Sequence, residues 1–201
     1  MSGQLTVEQL TISDWVKELA AIPDRDFTLQ NVQDYIQRHA VLPETLGKYL
    51  FYSKGSYTRN LIFKNDLFEC MAICWEIGQF SRIHNHRGQN CWMSAPIGRL
   101  KVQNFRVEGK QSSDEHCGTC DLILTDIYEM DARHPAYVNP LEPVHQVLNL
   151  PEYNQRAVSI HVYSKPFDMC EVYYQDKGTY ADVPLHYTSE YGNLHPDEKL
   201  I

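Results

Sequence analysis

The sequence predicts a mainly β fold, a sandwich or barrel with short α-helices packed at its N-terminal side. Three observations carry that prediction. After Tyr57, ten short runs rich in β-branched and aromatic residues alternate with turn residues, the pattern of an all-β sandwich or barrel. The first part of the chain instead repeats apolar side chains at helical spacing. At 201 residues the chain is long enough to bury a sizeable core without disulfide staples.

Taken in order, residues 6–22 ("TVEQLTISDWVKELAAI") set Leu10, Trp15, Val16 and Leu19 at rough helical spacing. Residues 31–42 ("NVQDYIQRHAVL") do the same with Val32, Tyr35, Ile36 and His39, with Asn31 as the N-cap. Residues 43–52 open with Pro43, which suits the first turn of a third short helix. Strands are predicted at 60–63, 70–77, 82–86, 91–95, 98–107, 122–128, 136–138, 144–148, 157–163 and 171–174. The polar stretch "VEGKQSSDEHCGTC" (107–120) reads as a loop at a hairpin end. The tail from Lys177, rich in Pro, Gly, Tyr and His, reads as wrapping the surface. There is no internal repeat and no low-complexity tract. The expected organisation is one domain over 1–201: a helical segment 1–56, a β-barrel 57–175 and a surface-wrapping tail 176–201.

Acidic residues outnumber basic ones by 26 to 18, a net charge of −8 that argues against nucleic acid as a partner. The start, "MSGQLTVEQL", has neither a basic n-region nor an apolar h-region, so no secretory signal is expected. No apolar run approaches the roughly 18 residues of a membrane helix, so no membrane partner is expected. The six cysteines, at 70, 74, 91, 117, 120 and 170, are then expected as reduced thiols of a cytoplasmic protein.

The stretch "SRIHNHRGQNC" (81–91) carries the first chemical signal. If 82–86 is extended, His84 and His86 point to one face and can grip one metal ion. A lone H-x-H also arises by chance on a solvated strand in a chain with nine histidines. Here Gly78 precedes and Gly98 follows, giving G-x5-H-x-H-x4-C-x6-G. This resembles the first signature of the cupin superfamily, with Cys91 in the slot that normally holds a metal-binding glutamate. His145 and Asn149 have the H-x3-N spacing that ends the second signature, without its usual glycine. The resemblance implies a jelly-roll barrel in which His84, His86 and His145 meet at one metal. With no carboxylate among them, the full charge of a divalent ion stays uncompensated, and such a centre attracts a thiolate.

A second signal lies in "AVSIHVYSKPFDMC" (157–170), where Ser159, His161 and Tyr163 alternate along one strand face. Turned inward, that face is costly unless it serves a ligand; turned outward, it is simply solvated. The alternating Val158, Ile160 and Val162 allow either orientation.

Six segments together, between about Lys48 and Cys170, resemble the cysteine dioxygenase family of thiol dioxygenases: "YTRN" (57–60), "ICW" (73–75), the H-x-H-x4-C run, "VHQV" (144–147), "SIHVYS" (159–164) and "PFDMC" (166–170). The resemblance implies non-haem Fe(II) held by His84, His86 and His145. The substrates would be L-cysteine, chelating through thiolate and amine, and O2, and the product cysteine sulfinic acid. Arg59 would bind the substrate carboxylate, a task suited to a guanidinium fork, with Tyr57 beside it. His161 would hydrogen-bond the hydroxyl of Tyr163, Ser159 would complete that relay, and Trp75 would support the site from behind. Cys91 and Tyr163 match positions that, in part of the family, become a covalent thioether. The family often continues with Ser-Pro-Pro and a cis bond before the first proline, whereas this chain has Ser164-Lys165-Pro166. Relatives acting on 3-mercaptopropionate tend to carry glutamine at the Arg59 position, so arginine favours L-cysteine. The resemblance also implies a monomer.

Two rival readings remain at this stage: a cupin that stores or senses a metal without catalysis, and a structural zinc bound by the three histidines and Cys91. Cys117 and Cys120 form a C-x-x-C next to His116, but no second ligand pair and no βαβ context accompany it, so both read as loop cysteines. Cys70, Cys74 and Cys170 read as core residues. His39, His134, His186 and His195 read as surface or structural.

Overall fold

A computed structural model describes residues 7–138, 144–196 and 200. The N-terminal part is a small cap. Strand β1 (Glu8–Leu10) pairs in parallel with β2 (His39–Val41), and helices α1 (Ile12–Ala20) and α2 (Leu29–Arg38) lie between them in sequence. Each helix begins where a threonine can cap it. Thr11 Oγ1 accepts from Asp14 N at 3.1 Å and Thr28 Oγ1 accepts from Asn31 N at 3.2 Å, contacts worth about 1 kcal/mol each. The expected cap at Asn31 is therefore corrected to Thr28, and α2 ends at Arg38, where the chain becomes β2. Residues 43–49 form the third helical piece, a 3-10 helix (Pro43–Tyr49).

The remaining strands follow in order: β3 (Thr58–Lys64), β4 (Glu69–Trp75), β5 (Ile83–His84), β6 (Asn90–Ile97), β7 (Leu100–Ser112), β8 (Cys117–Met130), β9 (Ala136–Tyr137), β10 (Val144–Leu148), β11 (Ala157–Ser164), β12 (Met169–Tyr174), β13 (Thr179–Pro184), β14 (Ser189–Glu190) and β15 (Asn193–Leu194). They build a closed ring, β10-β5-β12-β13-β8-β7, and a seven-stranded sheet, β15-β14-β3-β4-β11-β6-β9. This is the mainly β jelly roll that the sequence predicts.

Both faces of the central strand β11 are buried, and the two faces differ. Val158, Ile160 and Val162 pack outward against Trp15, Leu19, Val32 and Ile36 of the helices, each buried aliphatic side chain contributing about 1.5–3 kcal/mol. Ser159, His161 and Tyr163 turn to the barrel interior. The helical cap thus resolves the ambiguity of the alternating pattern: it covers the apolar face, so the polar face must be the inner one.

Three regions depart from expectation. The predicted strand 82–86 is paired only over Ile83–His84. The predicted loop 107–120 is mostly ladder, with Glu108 opposite Asp121 and Ser112 opposite Gly118. Its β7 side is exposed at every position from Glu108 to Ser112, so it has no apolar alternation there to mark it as strand. The tail supplies β13, which closes the ring between β12 and β8, and β14, which pairs in parallel with β3. The tail reading for 197–199 and 201, and any reading of 1–6 and 139–143, lies outside the described residues.

The two glycines of the motif have structural work. Gly98 has φ +74°, and a Cβ there would meet Arg156 O at 2.8 Å. Gly78 has φ +84°, and its N–H donates to Asn149 O at 2.9 Å. Asn149 in turn donates from Nδ2 to Glu76 O and Gln155 O, which ties the loop before β5 to the end of β10.

Candidate metal centre and substrate cavity

Strands β5 and β10 bring His84 opposite His145 in register. His86 joins them from beyond the strand end. Asn85 is clamped to β12: its N–H donates to Glu171 O at 3.1 Å, and its Oδ1 accepts from Glu171 N at 3.0 Å. A turn follows, with positive φ at Arg87 and Gly88. That clamp and turn aim His86 inward, where strand alternation was expected to do so.

The candidate ligand atoms of His84, His86 and His145 lie within 4.8 Å of one another, and the ring centroids are 4.7–5.2 Å apart. His86 and His145 are fully buried, and neither ring nitrogen of either has a hydrogen-bond partner. Buried polar atoms without partners are costly, and donating a lone pair to a metal removes that cost. His84 Nδ1 lies 2.8 Å from Arg82 O. A carbonyl only accepts, so Nδ1 carries the proton and Nε2 keeps its lone pair. Burial pushes His84 down to about 4, and burial, then His84 itself, pushes His86 and His145 well below the usual imidazole range. All three are neutral at neutral pH, the form that binds metal. The residues present therefore fit a divalent metal. Among the described residues this is the group that converges on one point, and Cys91 is not part of it, which removes the support for a three-His-one-Cys zinc site.

The inner face of β11 forms a hydrogen-bonded chain. Trp75 Nε1 donates to Ser159 Oγ at 2.9 Å, Ser159 Oγ lies 2.8 Å from His161 Nε2, and His161 Nδ1 lies 3.0 Å from Tyr163 Oη. Its direction follows from donor counting. Indole N–H can only donate, and among the described residues the Ser159 hydroxyl has no acceptor besides His161 Nε2. Ser159 therefore donates to Nε2, and His161 donates from Nδ1 to the phenol oxygen. This leaves the phenolic proton of Tyr163 unused by the chain. Burial keeps His161 neutral, at about 3. Burial, then Cys91, raises Tyr163 well above the usual phenol range.

Cys91 on β6 stands directly opposite Tyr163 on β11, where cross-strand Cβ atoms are about 4.5–5.5 Å apart. It is fully buried, and burial raises its thiol well above the usual range, which argues against a free nucleophile. The Ser164–Lys165 peptide bond, where the sequence departs from Ser-Pro-Pro, is cis.

A cavity of about 750 Å³ joins these groups, lined by His84, His86, His161 and Tyr163 together with Arg59 and Tyr57. Tyr57 stacks on Trp75, ring centroids 4.7 Å apart. Arg59 makes no ion pair among the described residues, and its Nε is buried without a partner. Of the residues that the sequence singled out for the site, Tyr57, Arg59, Trp75, His84, His86, His161 and Tyr163 line this cavity, while His145, Ser159 and Cys91 are fully buried beside residues that do. The sequence missed the far wall: Phe167 and Cys170 after β11, and Leu185, His186 and Thr188 from the tail. Phe167 and Cys170 lay in a quoted segment but had no role, and the tail residues carried no local signal. Cys70 and Cys74 are core residues as expected, while Cys170 is buried yet borders the cavity. Cys117 and Cys120 are strand residues of β8, not loop residues. At i and i+3 they face opposite sides: Cys117 Sγ donates to Asp114 Oδ2 at 3.2 Å, and Cys120 packs in a small apolar cluster with Phe105 and Tyr173.

Barrel and histidine cluster together define a metal-binding cupin. A family model described as cysteine dioxygenase type I matches residues 1–176, and the chain belongs to that family. It is 28% identical to cysteine dioxygenase type 1 of Danio rerio, over 95% of this chain and 92% of that protein. It is 28% identical to the Homo sapiens protein of the same name over 93% and 90%, and 29% identical to the Bos taurus protein over 92% and 90%. Among solved structures, the TT1209 protein from Thermus thermophilus aligns with TM-score 0.44 and 18% identity, over 60% of this chain and 95% of that one. No helix among the described residues is long and apolar enough to cross a membrane.

Proposed function

We propose that the protein is an Fe(II)-dependent thiol dioxygenase that oxidises L-cysteine with O2 to cysteine sulfinic acid. The observation that carries this reading is the shared cavity: His84 and His86, two of three converging neutral imidazoles, line the same space as the unpaired guanidinium of Arg59, and His86 and His145 have no hydrogen-bond partner on either ring nitrogen. His84, His86 and His145 would hold the iron, which when bound supplies oxygen chemistry next to a thiolate that offsets its charge. The reaction balances as one thiol and one O2 giving one sulfinic acid, with both oxygen atoms ending on sulfur.

The chain's own residues bind and orient. Arg59 has a buried, unpaired Nε and a free fork, so it is ready for a carboxylate at the far end of the substrate. Trp75, Tyr57 and Phe167 make the walls apolar and keep water away. Tyr163 holds a proton that its neighbours do not need, available to a substrate or oxygen atom in the cavity. The cross-strand pairing of Cys91 with Tyr163 supports a thioether between them. Forming it removes the thiol hydrogen and one ring hydrogen, with the two electrons passing to O2. It would lock the phenol in one rotamer, a general source of rate. Intact mass should then fall by two hydrogens after aerobic turnover, and a Cys91→Ser variant should show no such loss.

Substrate choice is tested by oxygen uptake with L-cysteine and with 3-mercaptopropionate. The reading predicts preference for L-cysteine, with sulfinic acid formed in proportion. A clear preference for 3-mercaptopropionate overturns the assignment of the thiol.

A further inference from the structure

The inner face of β4 carries an unexpected charge. Glu69 is fully buried, and its Oε1 has no hydrogen-bond partner. It stands opposite Tyr163 of β11, on the same face as Ile73, which stands opposite Arg59 of β3. A buried carboxylate attracts any available cation. Lys64 of β3 stands directly opposite Glu69, and Arg59 is the second cation on this face of β3. A bidentate pair between Arg59 and Glu69 would consume the guanidinium fork that a substrate carboxylate needs.

A tail residue stands between them. The phenol of Tyr187 donates to Glu69 Oε2. Lys64 Nζ donates to the Tyr187 oxygen at 3.2 Å and lies 3.8 Å from Glu69 Oε2. On its other side, the Tyr187 ring lies 5.9 Å from the guanidinium carbon of Arg59, within reach of a cation–π contact. The tail is tied down directly after this contact. Thr188 N donates to Arg59 O at 2.7 Å, Arg59 N donates to Thr188 Oγ1 at 3.2 Å, and Ser189 Oγ donates to Asn60 Oδ1 at 2.8 Å.

We propose that Tyr187 is a positioning residue: it takes up the carboxylate of Glu69 and braces the guanidinium, so that Arg59 stays free for the carboxylate of a thiol acid. This rests on the reading of Arg59 as the carboxylate anchor. Without the phenol, Glu69 keeps only Lys64, at a distance longer than the roughly 2.7–2.9 Å of a charge-assisted hydrogen bond. Arg59 is then drawn toward Glu69 and away from substrate.

The test uses the iron-loaded protein and the variants Tyr187→Phe, Tyr187→Phe with Glu69→Gln, Lys64→Met and Arg59→Gln. Two quantities are read: KM and kcat for L-cysteine, and the rise in unfolding temperature that L-cysteine gives without oxygen. Tyr187→Phe should raise KM about ten-fold, the scale of one lost charge-assisted contact, with kcat nearly unchanged, and should reduce the cysteine-induced stabilisation. Adding Glu69→Gln should restore both, which a merely structural role for Tyr187 would not produce. If Tyr187→Phe does not fold, Lys64→Met decides: a raised KM that Glu69→Gln reverses supports the inference, and an unchanged KM overturns it. An unchanged KM in Tyr187→Phe, or a rise that Glu69→Gln leaves in place, overturns the inference while Arg59→Gln still raises KM. An unchanged KM in Arg59→Gln overturns the anchor reading itself.

Discussion

The barrel mouth and the β7–β8 ribbon treat polar groups in opposite ways. On the ribbon side, charges are matched. Lys110 Nζ donates to both oxygens of Glu171 at 2.8 Å, Tyr173 Oη donates to Glu171 Oε2 at 2.6 Å, and Asp182 takes both Arg87 and His116. At the mouth, His86 and His145 are deeper in the protein yet have no partner, and Arg59 has a buried Nε without one. Protein interiors rarely leave such groups unsatisfied. The difference separates architecture from function: paired charges hold strands together, and unpaired buried donors await something that arrives from solution.

Substitutions at the mouth should therefore change ligand binding far more than substitutions on the ribbon. The largest effect is expected from His86→Ala. Thiol-dependent oxygen uptake should fall to background, and added ferrous iron should raise the unfolding temperature of the parent protein but not of the variant. Near-parental activity in that variant would break the contrast. A middle-sized effect is expected from Ser159→Ala, which strands both the Trp75 N–H and His161 Nε2. One buried hydrogen bond of this kind is worth about ten-fold in kcat/KM, read from steady-state oxygen uptake, and a change under about two-fold would remove the relay from the account.

The smallest effect on function should come from Lys110→Met on the ribbon. Its kcat should match the parent, and its stability should fall by no more than about 1 kcal/mol at neutral pH. Burial by itself would raise the Glu171 carboxyl, but hydrogen bonds from Lys110 and Tyr173 outweigh it and hold the group below its ordinary 4.5. A depressed carboxyl contributes stability above its unfolded pKa and loses it as pH falls through the folded value. The difference between parent and variant should thus be greatest at neutral pH and vanish in acid. Urea unfolding at both conditions checks this, and a difference that grows in acid would contradict the pairing.

The contrast also explains what could be read from the chain. The mouth was legible because its chemistry is written in short spacings: His84 and His86 one residue apart, Ser159, His161 and Tyr163 at every second position. Cys91 and Tyr163, far apart in sequence, were matched only through the family resemblance. The ribbon was not legible, because its β7 side, exposed at every position from 108 to 112, has no period to detect, and the polar residues at 107–120 resemble a loop. Nor was Tyr187, whose partner Glu69 lies 118 residues away. Its position depends on the parallel pairing of β14 with β3, which no local pattern encodes.

The central claim is that His84, His86 and His145 form a ferrous centre for thiol oxidation. It is tested most directly by purifying the protein without oxygen, measuring its metal content, and following oxygen uptake when L-cysteine is added. The account predicts iron in near-equal ratio to the chain, and one O2 consumed for each cysteine sulfinic acid formed. Stoichiometric zinc with no thiol-dependent oxygen uptake would contradict it.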